Sequence, residues 1–134
     1  MRLLIAIAAF VMNVSPALSL DLMHKTYIGL DKSTIKSTYS CTPSFLILGG
    51  SSRLVCNDND IGILVFILKG NKVVSVDITH SNPPLTFNEA TSLLQSQCVA
   101  EEDNATFKCK NDIQAAVIEQ SFAIMINLCL QGHC

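Results

Sequence analysis

Continuous and alternating apolar stretches predict a β-hairpin in the first half of the chain. Residues 61–68 form an apolar run rich in β-branched side chains, a composition that favours strands. Residues 69–72, Lys-Gly-Asn-Lys, predict the turn, because Gly and Asn adopt positive φ at low cost. Residues 73–79 then alternate in polarity, which is typical of a half-buried strand. The positions expected to be buried in that strand are Val74, Val76 and Ile78.

A second hairpin is predicted in the other half of the chain. Apolar runs at residues 115–118 and 122–128 flank three polar residues, 119–121. A short strand is predicted before each hairpin, at residues 54–55 and at residues 106–107. These patterns together predict six strands.

Two short helices are predicted, one ahead of each set of strands. Asp31 and Thr86 carry side-chain oxygens that can accept hydrogen bonds from the free amides of a first helical turn. Thr86 with Glu89 also completes a capping box. Both helices have apolar residues at the hydrophobic-staple positions, which are Leu30 with Ile35 and Leu85 with Ala90.

The two halves present the same order of features, which indicates an internal duplication. Each has a capped helix, two cysteines, an Asn-Asp-Ile tripeptide and a hairpin, at near-constant offset. We predict repeat 1 at about residues 28–80 and repeat 2 at about residues 85–134. Residues 81–84, Ser-Asn-Pro-Pro, are the expected link, because two prolines interrupt both helices and sheet ladders. Coincidence between two ordinary helix–hairpin stretches is the alternative.

Six cysteines predict a disulfide framework. In each repeat, two cysteines are placed to join the helix end to the start of the next strand, and the two remaining cysteines form a third pair. The predicted pairs are Cys41–Cys56, Cys98–Cys109 and Cys129–Cys134. A bridge from Cys134 to another chain is the alternative for the last pair. Metal ligation needs close pairs such as Cys-x-x-Cys, which the sequence lacks.

The N-terminal residues predict export. Arg2 precedes an uncharged apolar stretch, residues 3–12, and small residues follow up to Ser19, which is the pattern of a secretory signal peptide. We therefore expect a signal peptide at residues 1–19, one disulfide-stapled domain at residues 20–134, and a periplasmic or secreted location. Disulfides fit such a compartment. A buried N-terminal helix is the alternative.

Charge and composition narrow the class of partner. The chain has a net charge of -2 and 15% charged residues, so it lacks the basic surface that nucleic acid or an anionic membrane favours. Its apolar content of 49% argues against disorder. After the leader, every apolar run is shorter than the about 20 residues that span a membrane, so we expect no transmembrane segment. The oligomeric state is not predicted.

The repeated order of helix, cysteine, cysteine and hairpin resembles that of the secreted β-lactamase-inhibitor protein family. It is more distantly similar to the small lipoproteins of outer-membrane assembly, which carry one such unit. The first resemblance implies a sheet whose concave face and hairpin loops grip a partner protein. That grip uses many aromatic side chains, whereas this chain has no Trp, two Tyr and six Phe. No binding residue is therefore carried over from the family.

The sequence thus predicts an α+β fold, with two tandem helix–loop–three-strand repeats forming one antiparallel sheet and the helices on one face. The expected function is that of an exported, non-enzymatic binding protein, which contacts another protein through the sheet face and the hairpin loops. Residues 45–48 are an apolar run in a predicted loop, which serves either core packing or partner contact. The candidate partner-binding residues are Phe45, Leu46, Arg53, Lys69, Asn71, Lys72, Glu119 and Gln120.

No catalytic residue, cofactor or metal is expected. His80 follows a predicted strand and Asp77 would face the other way on it, so a surface-loop histidine is the simpler interpretation. A small hydrolase that uses His80 is an alternative function, as is an envelope scaffold that oligomerises through a strand edge. Residues 57–60 resemble the start of a calcium loop but lack its final Glu, which favours a solvated turn. Residues 104–106 match the N-glycosylation pattern, which bears on function in a eukaryotic source.

Overall fold

A computed structural model describes residues 27–48, 51–81, 84–121 and 123–134, and for residues 43–48 the description covers the backbone alone. The predicted signal peptide lies outside these residues. Within them the chain has two helices and eight strands. Neither of these helices has the length and apolar character needed to cross a membrane.

The elements form two series, each a helix followed by four strands. Helix α1 spans Lys32–Thr38 and helix α2 spans Phe87–Gln95. The strands of the first series are β1 (Ser40–Leu48), β2 (Ser51–Asp58), β3 (Gly62–Lys69) and β4 (Lys72–His80). Those of the second series are β5 (Val99–Ala100), β6 (Thr106–Lys108), β7 (Ile113–Glu119) and β8 (Ile124–Leu130).

All eight strands belong to one antiparallel sheet in the order β1-β2-β3-β4-β8-β7-β6-β5. Each series pairs along the chain as a meander. The two meanders meet where their last strands, β4 and β8, pair with each other, for example with Ile78 opposite Ile126. The fold is therefore α+β with a single antiparallel sheet, and β1 and β5 form its edges.

The predicted strand count is wrong, because the sequence predicts six strands and the sheet has eight. The additional strands are β1 and β5. The apolar run 45–48, expected in a loop, lies in β1, which pairs with β2 from Ser40 opposite Asn57 to Leu48 opposite Ser51. An apolar run of strand length followed by two glycines is a hairpin signal. The prediction fails because it treats most of the segment between Cys41 and Cys56 as a loop, although the segment contains most of β1 and of β2.

One face of the sheet carries the apolar core. Leu64, Phe66 and Ile78 are among its fully buried side chains, and residues directly opposite one another in paired strands share a face. Both helices contribute to the same core cluster, through Ile35 of α1 and Leu94 of α2. A single core therefore connects the two series.

The polarity alternation predicted for β4 is interrupted by a bulge. A register shift between Ile67 and Leu68 leaves Leu68 paired with Val73. Val73 is consequently buried and Val74 is half-buried, which makes the prediction for Val74 wrong. The cause is that a bulge inserts one extra residue and changes which neighbour points into the core. The other positions predicted to be buried are buried, namely Val76 and Ile78.

Three disulfides have the predicted pairs, Cys41–Cys56, Cys98–Cys109 and Cys129–Cys134. Cys41 and Cys56 are direct register partners in the β1–β2 ladder, with Cα atoms 4.0 Å apart. Cys98 and Cys109 lie one residue beyond the β5–β6 ladder, in the same register. Each of these two bonds thus ties the first strand of a series to the second, just after the helix.

The two predicted helix caps differ in the structure. Thr86 Oγ1 accepts from the Glu89 amide at 3.1 Å, and Glu89 Oε1 accepts from the Thr86 amide at 3.0 Å, so the capping box is confirmed. Asp31 occupies the N-cap position of α1, but its side chain makes no capping hydrogen bond, so that prediction is wrong. The Asp31 carboxylate lies 2.9 Å from the Lys72 ammonium instead, because an isolated bridge between Asp31 and Lys72 brings the start of α1 beside the β3–β4 turn.

Candidate binding surface

The face of the sheet opposite the core, called the outer face below, is built from the intervening residues of the same strands. Directly opposed residues of an antiparallel pair point to the same side of the sheet. The central row of the outer face crosses six strands and contains Val55, Val65, Asp77, Asn127, Ala116 and Thr106. All six are half-buried, and none of these described residues belongs to the core cluster.

A polar network lies at the centre of the outer face, where β4 meets β8. Asn127 Nδ2 donates to Asp77 Oδ1 at 2.6 Å and lies 3.2 Å from Ser75 Oγ. A side-chain amide has two N–H donors, so one nitrogen can serve both acceptors. The network therefore joins the two meanders through side chains as well as through the backbone ladder.

Apolar side chains flank this network in the adjacent rows. Ile63 and Ile118 are 43% and 38% exposed, and Ile67 and Met125 are half-buried. Their register partners place all four on the outer face. Exposed apolar side chains that lie close together on a protein surface are typical of interaction sites.

Arg53 adds a cationic group to this face. It lies on β2 opposite Ile67 and therefore points to the outer face. Its Nε is buried and has no hydrogen-bond partner among the described residues. An unpaired buried donor costs about 1–3 kcal/mol, and a guanidinium group can bind a carboxylate through two parallel hydrogen bonds. An external hydrogen-bond acceptor would therefore satisfy a buried donor of Arg53.

The remaining predicted contact residues fall at two opposite ends of the sheet. The β3–β4 turn carries Lys69, Asn71 and Lys72, whereas the β7–β8 turn carries Glu119 and Gln120. Because β4 and β8 are antiparallel, these turns are separated by about 30 Å, the length of β4. The structure therefore does not bring the two turns together.

The predicted contact residues of the first series share one end of the sheet with each other. Arg53 lies two residues from the start of β2, and Ser51 there pairs with Lys69 at the β3–β4 turn. Phe45 and Leu46 lie in β1, with side chains outside the description. Lys32 and Lys36 of α1 line a depression of about 400 Å³ at the same end, together with Asp31, Ser33 and Asn71. This end of the sheet is consequently cationic.

His80 is the last residue of β4 and is 6% exposed, so the surface-loop interpretation is wrong. The strand extends that far because His80 pairs with Gly62. His80 lies on the core side and Asp77 on the outer face, so strand geometry keeps them apart. The pKa of the Glu89 carboxyl is lowered chiefly by hydrogen bonds from Thr86 and, to a smaller extent, by the charge of His80.

Among the described residues no group of three or more His, Cys, Asp and Glu side chains could hold a metal ion. The acidic segment that resembles a calcium loop is the turn after β2. There Asp58 Oδ1 accepts from the amides of Asp60 and Ile61 at 2.8 and 3.1 Å. This carboxylate oxygen therefore serves its own turn, in keeping with the solvated turn that the sequence favours.

No protein-family model, curated protein sequence or solved structure gives a match to this chain. The resemblance to the β-lactamase-inhibitor family therefore remains a hypothesis.

Proposed function

We propose that this chain is an exported, non-enzymatic binding protein, and that a partner protein docks on the outer face of its sheet. The observation that carries the proposal is Arg53, whose buried Nε lacks a hydrogen-bond partner among the described residues and which lies opposite the half-buried Ile67 on the outer face. A protein partner would cover Ile67 and supply an oxygen acceptor to the guanidinium group. Arginine surrounded by apolar contacts is a frequent source of binding energy in protein interfaces.

The charge near Arg53 defines the class of partner further. Lys69 and Lys72 lie at the adjacent turn and are exposed. Opposite charges across an interface raise the association rate and select the orientation of the partner. The proposed partner is therefore a protein with an acidic surface, and the β7–β8 turn at the other end of the sheet is not part of the proposed site.

Export is part of the proposal and rests on two observations. Three disulfides are present, and disulfides persist chiefly in oxidising compartments such as the periplasm and the extracellular space. The predicted signal peptide at residues 1–19 would provide the route. Both a periplasmic and a secreted destination fit these observations.

A tandem duplication, with both helices on one face, also belongs to the proposal. Its supports are the helix that precedes each set of four strands, the disulfide directly after each helix, and the pairing of the two last strands. Buried side chains from both helices lie in one core cluster, which fits helices on a common face. The proposed binding surface would then cross an approximate two-fold axis between Asp77 and Asn127.

Site-specific photo-crosslinking tests the binding function while the identity of the partner is still open. A photoreactive residue replaces either Ile67, which lies opposite Arg53 on the outer face, or Ser92, which is exposed on α2 at the core side of the sheet. In the cell of origin we expect position 67 to yield one recurrent protein adduct and position 92 to yield none. Arg53→Ala should lower the adduct yield at position 67 at least tenfold. The same adducts at both positions, or none at position 67, would contradict the proposal.

An envelope scaffold is the second candidate, favoured by the edge of β1, which pairs with no further strand among the described residues. This edge strand has nine residues and no charged side chain, whereas exposed edges that resist pairing usually carry charges. The scaffold function requires self-association, which light scattering of the purified chain over a range of concentrations measures. A strict monomer at every concentration removes this candidate and leaves the binding function untouched.

A further inference from the structure

The loop between β5 and β6 holds a chemical motif that the proposed binding surface does not use. Residues 101–104 are exposed, and Asn104 has a φ of 55°. The loop is closed by the Asn104 amide, which donates to the Glu101 carbonyl at 3.0 Å, and by the Glu101 amide, which donates to the Thr106 carbonyl at 2.8 Å. The Asn104 side chain is therefore displayed to solvent by a defined turn.

Asn104, Ala105 and Thr106 form the acceptor motif for N-linked glycans, with Ala at the position where Pro would prevent transfer. Glu102 stands two residues before Asn104. It completes the longer motif, an acidic residue before the Asn-x-Thr core, that bacterial-type oligosaccharyltransferases require. The motif therefore suits both the eukaryotic and the bacterial type of transfer, so the site does not depend on a eukaryotic source.

The contacts that hold this loop are confined to the loop itself. Asp103 accepts hydrogen bonds from the amides of Ala105 and Thr106 at 3.0 and 2.9 Å, and from the Thr106 hydroxyl at 2.8 Å. An oligosaccharyltransferase reads that hydroxyl, so Asp103 must release it. The loop joins strands of two and three residues at the sheet edge, and opening of such exposed segments costs little of the global stability.

We propose that Asn104 is a glycosylation site, which receives an oligosaccharide from a polyprenyl-pyrophosphate donor during export. Asn104 Nδ2 forms a bond to C1 of the first sugar while the bond from C1 to the pyrophosphate oxygen breaks. The amide nitrogen loses one proton, and polyprenyl pyrophosphate is the leaving group. This inference rests on the export included in the proposed function.

A glycan at Asn104 would be compatible with the proposed docking surface. The Val117 amide donates to the Ala105 carbonyl at 2.8 Å, which places the loop beside the end of β7. This end of the sheet is the one opposite Lys69 and Lys72. The sugar would therefore stand over the β7–β8 end and leave the cationic end free.

The test is expression of the full chain, with its own leader, in two secretion systems. One is a eukaryotic cell, and the other is a bacterium that carries an oligosaccharyltransferase and its lipid-linked donor. Intact mass and a non-reducing peptide map of the exported chain are expected to show three disulfides and one glycan, on Asn104. Glu102→Gln should abolish the glycan in the bacterium and leave it in the eukaryotic cell, which separates the two types of transfer.

Matched variants keep the result interpretable. Asn104→Gly removes the acceptor but suits the positive φ, so the exported chain should fold and carry no glycan. Thr106→Ser should retain the glycan and Thr106→Val should lose it. A parallel chain with an established leader before residue 20 separates failure of export from failure of glycosylation. An exported, disulfide-bonded chain with unmodified Asn104 in both systems would overturn the inference, as would a glycan that persists in Asn104→Gly.

Discussion

Asp77 and Asn127 face each other directly across the middle of the sheet and are joined by a hydrogen bond of 2.6 Å from Asn127 Nδ2 to Asp77 Oδ1. They come from the last strands of the two series and are 50 residues apart in the chain. A hydrogen bond to an ionised carboxylate is about twice as strong as one between neutral groups. Substitutions of this pair therefore measure how much the β4–β8 contact contributes to the stability of the fold.

Asn127→Asp should destabilise the fold by about 2–3 kcal/mol at pH 7, because it replaces a donor with a second carboxylate at hydrogen-bond distance. Protonation of one of the two carboxyl groups would restore a hydrogen-bond donor between them. The loss of stability should accordingly shrink as the pH falls toward 4. Urea unfolding of the variant and the parent chain at both pH values measures this difference.

The control is the exchanged pair Asp77→Asn with Asn127→Asp. It restores one donor and one acceptor at the same register position and should recover most of the stability at pH 7. If the single variant lost equal stability at both pH values, repulsion across the β4–β8 seam would not be the cause.

Replacement by alanine should destabilise the fold more at Gly62, the first residue of β3, than at Gly70, in the β3–β4 turn. Gly62 has a φ of 137°, and a Cβ there would overlap the Thr79 carbonyl oxygen and the Ser81 backbone. Gly70 has a φ of 63° with nothing within 4 Å of its added Cβ. Gly62→Ala should cost more than about 3 kcal/mol, whereas Gly70→Ala should cost about 1 kcal/mol. Equal midpoints in thermal unfolding would contradict the role assigned to the close approach at Gly62.

The disulfides should differ in their contribution to stability. Removal of Cys41–Cys56 as a double alanine variant should cost about 3 kcal/mol, and removal of Cys129–Cys134 about 2 kcal/mol, because the loop closed by the second bond is shorter. Cys56 and Cys129 are both buried, so burial adds to both losses and the loop length sets the difference. Guanidinium unfolding of both variants decides the order, and a larger loss for the Cys129–Cys134 variant would show that the tail is held by more than the chain-entropy effect.

The two helix N-caps should differ in how much stability is lost when the cap residue is replaced by alanine. Thr86→Ala removes a completed capping box and should cost about 1 kcal/mol. Asp31→Ala removes only an exposed ion pair with Lys72 and should cost less than about 0.5 kcal/mol. Chemical unfolding at pH 7 measures both. A larger loss for Asp31→Ala would mean that its carboxylate caps α1 in solution.

The capping box should also affect how the stability of the fold depends on pH in the acidic range. Hydrogen bonds from Thr86 lower the pKa of the Glu89 carboxyl in the fold. A lowered folded pKa stabilises the fold above the ordinary carboxyl range, and that stabilisation is lost as the pH falls through the folded value. Thr86→Ala keeps the backbone amide of residue 86 and removes the side-chain hydrogen bond, so an NMR titration should show a Glu89 pKa that is lowered less in the variant than in the parent chain. Identical titration curves would exclude the Thr86 side chain as a cause of the shift.

Local patterns predict the structure correctly wherever near neighbours in the chain decide it. The turn between β3 and β4 and the Thr86 cap each depend on residues within a few positions of one another, and both are confirmed. The Asp31 cap follows from the same logic but is wrong, because Lys72 reaches Asp31 from 41 positions away and only the fold brings them together. The prediction for Val74 is wrong because a bulge in the β3–β4 ladder is a property of two strands.

The candidate binding surface shows the same limit. The sequence singles out Arg53 for its place in a predicted loop, but its importance comes from β2, which turns it toward the outer face with Nε desolvated. Nothing in a single sequence reports the desolvation of one atom. The sequence also groups the Lys69–Lys72 turn and the Glu119–Gln120 turn as one surface, and the antiparallel pairing of β4 and β8 separates them. The order of the strands in the sheet sets that pairing, and the local periodicity of a sequence does not determine strand order.

The central position of β4 has a consequence for how the chain reaches its native state. β4 ends at His80, but the strand that pairs with its free edge is Ile124–Leu130, which follows only after the rest of the second series. Until that strand arrives, the first meander presents β4 as an unprotected edge, which is the kind of surface that recruits other chains into aggregates. Chains shortened before Leu130 should therefore aggregate on refolding, and the slow event in folding of the intact chain should be closure of the β4–β8 seam.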